Sequence, residues 1–177
     1  SLLPYSICLK IYRTKYIDNK YNFKTPQHGI VTTGNPEKEF LCRMTTDVEV
    51  IKSIDSFIKS DDMSFYSIDY SWQKGTHYKN GQFNPDWFIK QGNNITAVEV
   101  KDDAQISDPD AENIGKNKAA IKHFNFINEK HESDGNLTRY KFTFLTPKDF
   151  DIFFKKLSEK DIMNFKSQLD VKLADSK

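Results

Sequence analysis

The chain contains 177 residues, of which 37% are hydrophobic and 29% are charged, and its formal net charge is +1. This length predicts one domain with a proper core, and the absence of any apolar run of about twenty residues excludes a membrane-spanning helix. The small net charge argues against strong non-specific binding of nucleic acid by the isolated chain.

The two cysteines bear on the cellular compartment. Cys8 and Cys42 lie far apart and outside any Cys-x-x-Cys spacing. They argue against a disulfide scaffold and against a zinc knuckle, and they favour a reducing cytosol. The opening residues lack a basic start followed by a long apolar stretch, so no signal peptide is expected. The sequence therefore predicts a cytoplasmic protein.

Residues 1–34 carry the weakest pattern. Tyr5–Tyr16 alternates loosely between apolar and polar residues, which suits a strand or a short amphipathic segment. Lys20–Asn35 contains one proline and two glycines, which indicate a loop. This region is expected to be either a connector to a preceding domain or an edge element on the core, and residues 35–171 to form the main domain.

A helix is predicted to begin with Asn35 as its N-cap, because proline follows at the first helical position and acidic residues occupy the first turn. Apolar residues recur at helical spacing to about Ser60, with a break near Thr45-Thr46. Glu37 falls on the apolar, inward side of this helix, whereas Glu39 points elsewhere.

Three segments rich in aromatic and branched residues predict strands: Phe65–Trp72, Phe83–Ile89 and Ile95–Val100. Lys74–Gly81 is interpreted as the turn region between the first two strands. Gln91–Asn94 predicts a hairpin turn, since glycine and asparagine tolerate positive φ. The simplest arrangement of the three strands is an antiparallel meander.

The hairpin register decides which residues lie beside Asp86. A two-residue loop at Gly92-Asn93 places Asp86 opposite Glu99, and a loop at Asn93-Asn94 places it opposite Lys101. Glu99 and Lys101 are two residues apart and therefore share one face of their strand. Either register gathers the three side chains within cross-strand reach.

Two carboxylates and a lysine in this arrangement suit metal-assisted hydrolysis. Asp86 and Glu99 supply the oxygen ligands that Mg²⁺ prefers, with Mn²⁺ as a substitute, and the carbonyl of Val100 lies between them and the lysine. A bound metal lowers the pKa of its water and neutralises charge on a phosphate oxygen. Lys101 would orient that water or stabilise the transition state.

Beyond the hairpin, a polar loop over Asp102–Asp110 precedes a second core helix, predicted from Asp110 to about Lys130. His123 on this helix is expected to be a packed or capping residue rather than a general base. Three lysines on the helix have two interpretations, either phosphate contacts or a solvated face. These lysines are Lys116, Lys118 and Lys122.

Tyr140–Leu145 predicts a strand that follows a crossover helix and therefore runs parallel to a hairpin strand. Helices are predicted at Lys148–Leu157 and at Ser158–Leu169, the latter with a capping-box variant, and the tail from Lys172 is expected to fray. The hairpin strands carry apolar residues on both faces, which requires helices on both sides of the sheet. The expected fold class is α/β, an α/β/α sandwich with a central mixed sheet.

Pro85-Asp86 and Glu99-Val100-Lys101 together resemble the motif of the PD-(D/E)xK nuclease superfamily. Phe83-Asn84-Pro85-Asp86-Trp87, with Lys116 and His123-Phe124 further on, is more narrowly similar to the C-terminal nuclease domain of type III restriction enzyme R subunits and related helicase-linked nucleases. The resemblance covers about residues 35–150. It departs from the narrower pattern at Val100, where threonine is frequent, and at Asp102, where glycine is frequent.

The resemblance implies a restriction-endonuclease-like core and a Mg²⁺-dependent endonuclease that hydrolyses DNA phosphodiester bonds. Nucleases of this kind often carry a metal-reaching glutamate on the first core helix. Glu37 is the candidate and Glu39 the reserve, although both acids also suit a helix N-terminus. The implied partners are DNA, a helicase or ATPase module and a methyltransferase subunit. No GxxxxGK[ST] loop occurs, so any ATPase would lie outside this chain.

Three alternatives stay open at this point. The first is a non-catalytic nucleic-acid-binding or structural domain on the same fold, which the intact Asp86, Glu99 and Lys101 set argues against. The second is an enzyme that uses the same metal site on RNA or on another phosphate ester. The third is a protein-interaction module in which the motif is a coincidence, which a wide separation of Asp86 from Glu99 would establish.

Overall fold

The computed structural model describes residues 14–17, 24–60 and 66–175. Cys8, most of Tyr5–Tyr16 and the predicted strand start at Phe65 lie outside these ranges. The described strands are β1 (Thr14–Tyr16), β2 (Gly29–Val31), β3 (Ser56–Lys59), β4 (Ile68–Lys74), β5 (His77–Phe83), β6 (Trp87–Gln91), β7 (Asn94–Val100) and β8 (Arg139–Leu145). The described α-helices are α1 (Asn35–Thr46), α2 (Val48–Ser53), α3 (Ala104–Ser107), α4 (Ala111–Ser133), α5 (Phe150–Ser158) and α6 (Gln168–Asp175).

The main sheet contains four strands in the order β3-β6-β7-β8. β6 is antiparallel to β3 and to β7, and β8 is parallel to β7, as expected after a helical crossover. Trp87 lies opposite Val98, so the hairpin turn falls at Gly92-Asn93. Of the two registers that the sequence allowed, the one that places Asp86 across from Glu99 is therefore correct.

Apolar side chains cover both faces of this sheet. On one face, Trp87 and Ile89 pack beneath α1, α2 and α5, with Phe40 of α1 at the centre of an aromatic cluster. On the other face, Phe142 and Phe144 pack against α4 and α6. The protein is thus a mixed α/β structure with helices on both sides of a mixed sheet, as the two-faced apolar pattern of the strands predicted.

The predicted three-strand meander is wrong. β4 does not join the main sheet, because it pairs with β5 along its whole length as a separate two-stranded hairpin. Residues 74–81, interpreted as a turn region, turn only at Gly75-Thr76 before β5 begins at His77. This hairpin packs on α4, where Gly115 approaches the carbonyl oxygen of Ser71 so closely that a Cβ atom would lie 2.5 Å from it.

The third antiparallel strand of the main sheet is β3, which the apolar spacing had assigned to a helix. Helix α1 ends at Thr46, near the expected break, and α2 ends at Ser53. β3 then pairs with β6 on one side, while the side chain of Gln27 bonds the N–H and carbonyl groups of Lys59 on the other. These long-range backbone pairings outweigh the local helical spacing.

Two further predictions are wrong at the C-terminal end. Ser158–Leu169 is not one helix, because Lys160 adopts a positive φ of 60° and a 3₁₀ helix spans only Ile162–Asn164. Asp161 is the acid of the expected Ser-x-x-Asp capping box that begins at Ser158, but it accepts from Asn164 and pairs with Lys156 instead. Lys172 lies inside α6 rather than in a frayed tail.

Two predictions from the first half of the chain also need correction. The N-cap of α1 is Gly34 and not Asn35, which is already helical. Cys42 is buried on α1 and is disulfide-bonded, so the argument that the cysteines favour a reducing compartment does not hold. None of the described helices is long and apolar enough to cross a bilayer.

Candidate active site

Asp86 lies immediately before β6, where its backbone carbonyl and its side chain make different strand contacts. Its carbonyl accepts from the N–H of Ser60 at 2.8 Å, which continues the β3–β6 pairing by one step. Its Oδ2 atom accepts from the main-chain N–H of Val100 at 2.7 Å. The carboxylate therefore takes the place of a ladder carbonyl at the end of β7, and its orientation is fixed by the backbone.

Glu99 and Lys101 form the second part of the site. The ammonium of Lys101 donates to Oε1 of Glu99 at 2.8 Å. The Glu99 side chain is only 7% exposed, and its Oε2 atom is buried with no hydrogen-bond partner among the described residues. One carboxylate oxygen thus orients the lysine, and the other is a buried acceptor with no described donor.

Lys59 is a site residue that the sequence interpretation missed. Its Nζ atom lies 3.4 Å from Oε2 of Glu37 and 3.7 Å from Oδ1 of Asp86. The lysine is the last residue of β3, directly opposite Trp87, and its ammonium is 5.4 Å from the centre of that indole ring. Because β3 was assigned to a helix, nothing in the local pattern placed this lysine beside Asp86.

Glu37 reaches the site through Lys59, and it also bonds Thr33, which lies just before the N-cap of helix α1. Its two carboxylate oxygens accept from the hydroxyl and the N–H of Thr33 at 2.8 and 3.2 Å. A role of Glu37 at a metal stays a prediction, since its described contacts are to Thr33 and Lys59. Glu39 points away, as expected, and lies 3.7 Å from Arg43 one turn along the helix.

The carboxylates at this site repel one another. Burial and then the charge of Glu99 raise the pKa of Asp86 to about 8, although the Lys59 ammonium acts in the opposite direction. Burial also opposes the charged form of Lys101, but the Glu99 carboxylate outweighs burial and the net effect raises the pKa of this lysine. A bound cation would relieve the repulsion between the two acids.

The oxygen atoms at this site fit a hard cation that takes only a few of its ligands from the protein. No cluster of three or more His, Cys, Asp or Glu side chains in the described ranges is arranged to cage a metal. Mg²⁺ needs fewer protein ligands, since it keeps several waters and is commonly held by one or two carboxylates. Asp86 and the unpartnered oxygen of Glu99 meet that need. The N–H and carbonyl of one strand residue face the same side, so the Val100 carbonyl faces the Asp86 side as well.

The three lysines predicted on the second core helix, now α4, differ in their surroundings. Lys116 lies 3.0 Å from Glu112 and 5.3 Å from the centre of the Tyr70 ring, so its charge is already engaged. Lys118 and Lys122 are exposed, form no ion pair with a described residue, and line a groove of about 1170 Å³ between α4 and the β4–β5 hairpin. Lys118 and Lys122 are therefore available to contact phosphates, although Asp69 also lines the groove. Lys116 is instead engaged by Glu112.

Other residues near the motif have surroundings of their own. His77 and Tyr78 are exposed on β5 rather than in a loop beside the site. Asp103 accepts from the N–H of Lys148 at 3.1 Å. His123 is a packed residue, as predicted, because its ring hydrogen-bonds the Tyr66 hydroxyl.

No protein-family model, curated protein or solved structure matches the chain.

Proposed function

We propose that the protein is a Mg²⁺-dependent endonuclease domain of the PD-(D/E)xK type, with a restriction-endonuclease-like core, that hydrolyses DNA phosphodiester bonds. The observation that carries the proposal is the convergence of Asp86, Glu99 and Lys101 at the end of the β6–β7 hairpin. Asp86 is held by the Val100 amide, and Glu99 holds Lys101 while keeping one buried oxygen free of a described partner.

The chain order of the elements supports the same proposal. A helix precedes an antiparallel β3-β6-β7 sheet, and a crossover helix then leads to the parallel strand β8. This is the order that a restriction-endonuclease-like core requires, with the β4–β5 hairpin inserted between its first two strands. The motif residues also lie where such a core places its chemistry, at the strand ends rather than on an outer surface.

Each side chain has a distinct role in the proposed reaction. When bound, Mg²⁺ supplies an activated water and neutralises charge on the scissile phosphate. Asp86, Glu99 and the Val100 carbonyl hold the cation, with Asp86 oriented by the Val100 amide. Lys101, oriented by Glu99, positions the attacking water or stabilises the developing charge on phosphate oxygen. Glu37 acts at a distance, because Lys59 lies between it and Asp86.

The charge of the groove supports DNA as the proposed substrate, and the proposed partners are those that the resemblance implies. Lys118 and Lys122 give the groove two cations for the DNA backbone. With a net charge of only +1, the domain has little general affinity for a polyanion. A tethered helicase or ATPase module would supply that affinity by raising the local concentration of DNA, as would association with a methyltransferase subunit.

Cleavage of supercoiled plasmid in Mg²⁺ or Mn²⁺ tests the proposal. We expect nicking or linearisation by the wild type and none by Asp86→Asn, Glu99→Gln or Lys101→Ala. The matched surface variants Asp108→Asn, Glu159→Gln and Lys155→Ala should cleave like the wild type, because these side chains are exposed. Absence of cleavage together with absence of Mn²⁺ binding would reject the proposal. Cleavage that persists in Asp86→Asn would reject the site.

A further inference from the structure

Lys59 is the one cation among the described residues that contacts two carboxylates of the candidate site. Its Nζ atom is 3.4 Å from Glu37 and 3.7 Å from Asp86, and its side chain is 13% exposed. Glu37 and Asp86 are themselves largely buried. The ammonium therefore occupies the space between these two acids, on the opposite side of Asp86 from its Val100 hydrogen bond.

Contacts of both the main chain and the side chain of Lys59 fix the position of its ammonium. The N–H of Lys59 donates to Oε1 of Gln27 at 2.7 Å, and its carbonyl accepts from Nε2 of the same glutamine at 2.9 Å. The other edge of the strand pairs with Trp87, and the ammonium lies over the face of that ring. These contacts hold Lys59 in place rather than leaving it as a freely rotating surface lysine.

The two glutamates of the site differ in their need for a cation. Both oxygens of Glu37 already accept from Thr33, and one also faces Lys59. Glu99 instead has one buried oxygen with no described partner. The carboxylate oxygens on the Glu37 side of Asp86 therefore all have described partners, whereas one buried oxygen on the Glu99 side has none.

Resting on the function proposed above, we propose that Lys59 is a built-in cation that limits the site to a single divalent ion. That ion lies between Asp86 and Glu99, while the ammonium of Lys59 takes the place that a second ion would need between Asp86 and Glu37. A divalent ion cannot share that place, because like charges at this separation repel strongly in a partly buried site. Glu37 is then a positioning residue for Lys59 rather than a metal ligand.

The stoichiometry of Mn²⁺ binding tests this, by isothermal titration calorimetry and by the electron paramagnetic resonance signal of free Mn²⁺. We expect one ion in the wild type, one in Lys59→Arg, and two in Lys59→Met. Lys90→Met is the matched control, because Lys90 lies on the neighbouring strand β6 and pairs only with the half-exposed Asp55 among described residues. It should bind one ion.

The outcomes separate this inference from the proposed function. No Mn²⁺ binding in the wild type would overturn both. One ion in the wild type and one in Lys59→Met would overturn the role of Lys59 alone, as would two ions in the wild type. The double variant Glu37→Gln/Lys59→Met removes the charge of both partners and should bind one ion. Lys59→Gln keeps the test decisive if Lys59→Met does not fold, because it removes the charge but keeps a hydrogen-bond donor between the two acids. It should bind two ions, and one ion in Lys59→Gln would overturn the inference.

Thermal unfolding gives a second readout. Without Mn²⁺, Lys59→Met leaves Asp86 and Glu37 as buried acids that lack their cation, so its Tm should fall below that of the wild type. Saturating Mn²⁺ should then raise the Tm of Lys59→Met by more than it raises that of the wild type, because the variant binds an additional ion when folded. An equal Mn²⁺-induced shift in the two proteins would contradict the inference.

Discussion

The main-chain amide of Val100 donates a 2.7 Å hydrogen bond to Oδ2 of Asp86. Val100 is buried at the end of β7, where the antiparallel partner strand has already ended. The carboxylate thus satisfies a backbone donor that would otherwise be unpaired in the protein interior. Asp86 is consequently a structural residue as well as a candidate metal ligand. Substitutions that keep or remove its hydrogen bond distinguish the two roles.

Asp86→Asn and Asp86→Ala both remove the charge, but only asparagine keeps an oxygen for the Val100 amide. We expect Asp86→Ala to be less stable than Asp86→Asn by about 1–3 kcal/mol, the cost of an unsatisfied buried donor. Urea denaturation in EDTA measures the difference. The exposed Asp108 is the control, and its two corresponding variants should differ by less than about 0.5 kcal/mol. Equal stability of the two Asp86 variants would contradict a structural role for the hydrogen bond.

Local chemistry explains why the hairpin and its motif were predictable. Gly92 adopts a φ of 58°, which glycine allows at no steric cost, and this turn fixes the register through Trp87 and Val98. Once the register is set, Asp86 must lie across from Glu99. The alternation of the strands and the position of the turn can both be recognised from a few neighbouring residues. The sequence therefore also predicted that Asp86 and Glu99 lie side by side.

Long-range pairing explains what was missed. Lys59 belongs to a four-residue edge strand that follows two helices, and its apolar neighbours also fit a helical period. Only its pairing with Trp87, 28 positions along the chain, brings the ammonium beside Asp86. The separate β4–β5 hairpin was missed for a related reason, since sequential strands usually pair but nothing local states which sheet they join.

Gln91 is another residue whose structural role could not be predicted from the local sequence pattern. It precedes Gly92 and was interpreted as part of the turn, yet it is buried at the end of β6. Its Nε2 atom donates to the carbonyls of Ser53 and Leu157, at 3.0 and 2.8 Å. These carbonyls lie at the ends of α2 and α5, so one amide group ties both helices to the sheet.

Replacing Gln91 with methionine conserves much of the side-chain length but removes the donor. We expect Gln91→Met to lose about 1–3 kcal/mol of unfolding free energy, because the buried Ser53 carbonyl loses its donor and the Leu157 carbonyl keeps only a backbone donor, the N–H of Lys160. Gln73 is an exposed control, and Gln73→Met should change stability by less than about 0.5 kcal/mol. Chemical denaturation followed by tryptophan fluorescence compares the two. A neutral Gln91→Met would show that these carbonyls find other partners.

Replacing the different lysines of α4 should change the salt dependence of DNA binding to different extents. Each phosphate contact that is lost lowers the slope of log affinity against log salt by about 0.9. We expect Lys118→Ala and Lys122→Ala each to reduce the slope for duplex DNA by about that amount. Lys116→Ala should leave the slope nearly unchanged, because Lys116 is paired with Glu112.

Fluorescence anisotropy with labelled DNA, on an Asp86→Asn background that prevents cleavage, measures these slopes. Lys155→Ala on α5 is the control for removal of an exposed positive charge. If Lys116→Ala reduced the slope as much as Lys118→Ala, phosphate binding would not be confined to the exposed lysines that line the groove. If none of the variants changed it, α4 would not contact the DNA backbone.

Gly115 sets the distance between α4 and the β4–β5 hairpin. A Cβ atom at this position would lie 2.5 Å from the Ser71 carbonyl oxygen and 3.2 Å from Cβ of Trp72. Glycine-to-alanine changes normally stabilise a helix interior by about 1 kcal/mol. Here we expect the opposite, a loss of about 1–3 kcal/mol from overpacking.

Equilibrium denaturation of Gly115→Ala tests the close approach, beside Asn125→Ala at an exposed position of the same helix. The Asn125 variant should be neutral or slightly more stable, because alanine is the better helix former. A Gly115→Ala protein as stable as the wild type would mean that the hairpin moves away from α4 without cost.

His123 gives the fold a predictable response to acid. Its ring is partly buried, contacts Phe124 edge to face, and hydrogen-bonds the Tyr66 hydroxyl. Burial lowers the pKa of His123 below the ordinary value of 6.5. The folded state therefore binds this proton less readily than the unfolded state. The stability contributed by His123 is fully present above about pH 6.5 and is lost as the pH falls through the folded-state pKa.

Unfolding free energies measured between pH 7.5 and pH 5 should accordingly fall less steeply in His123→Gln than in the wild type. Glutamine cannot be protonated in this range, yet it keeps a polar group for Tyr66. His28→Gln is the matched control, since His28 is exposed, and its pH profile should parallel that of the wild type. Parallel profiles for His123→Gln and the wild type would mean that the imidazole takes up its proton as easily in the folded protein as in the unfolded chain.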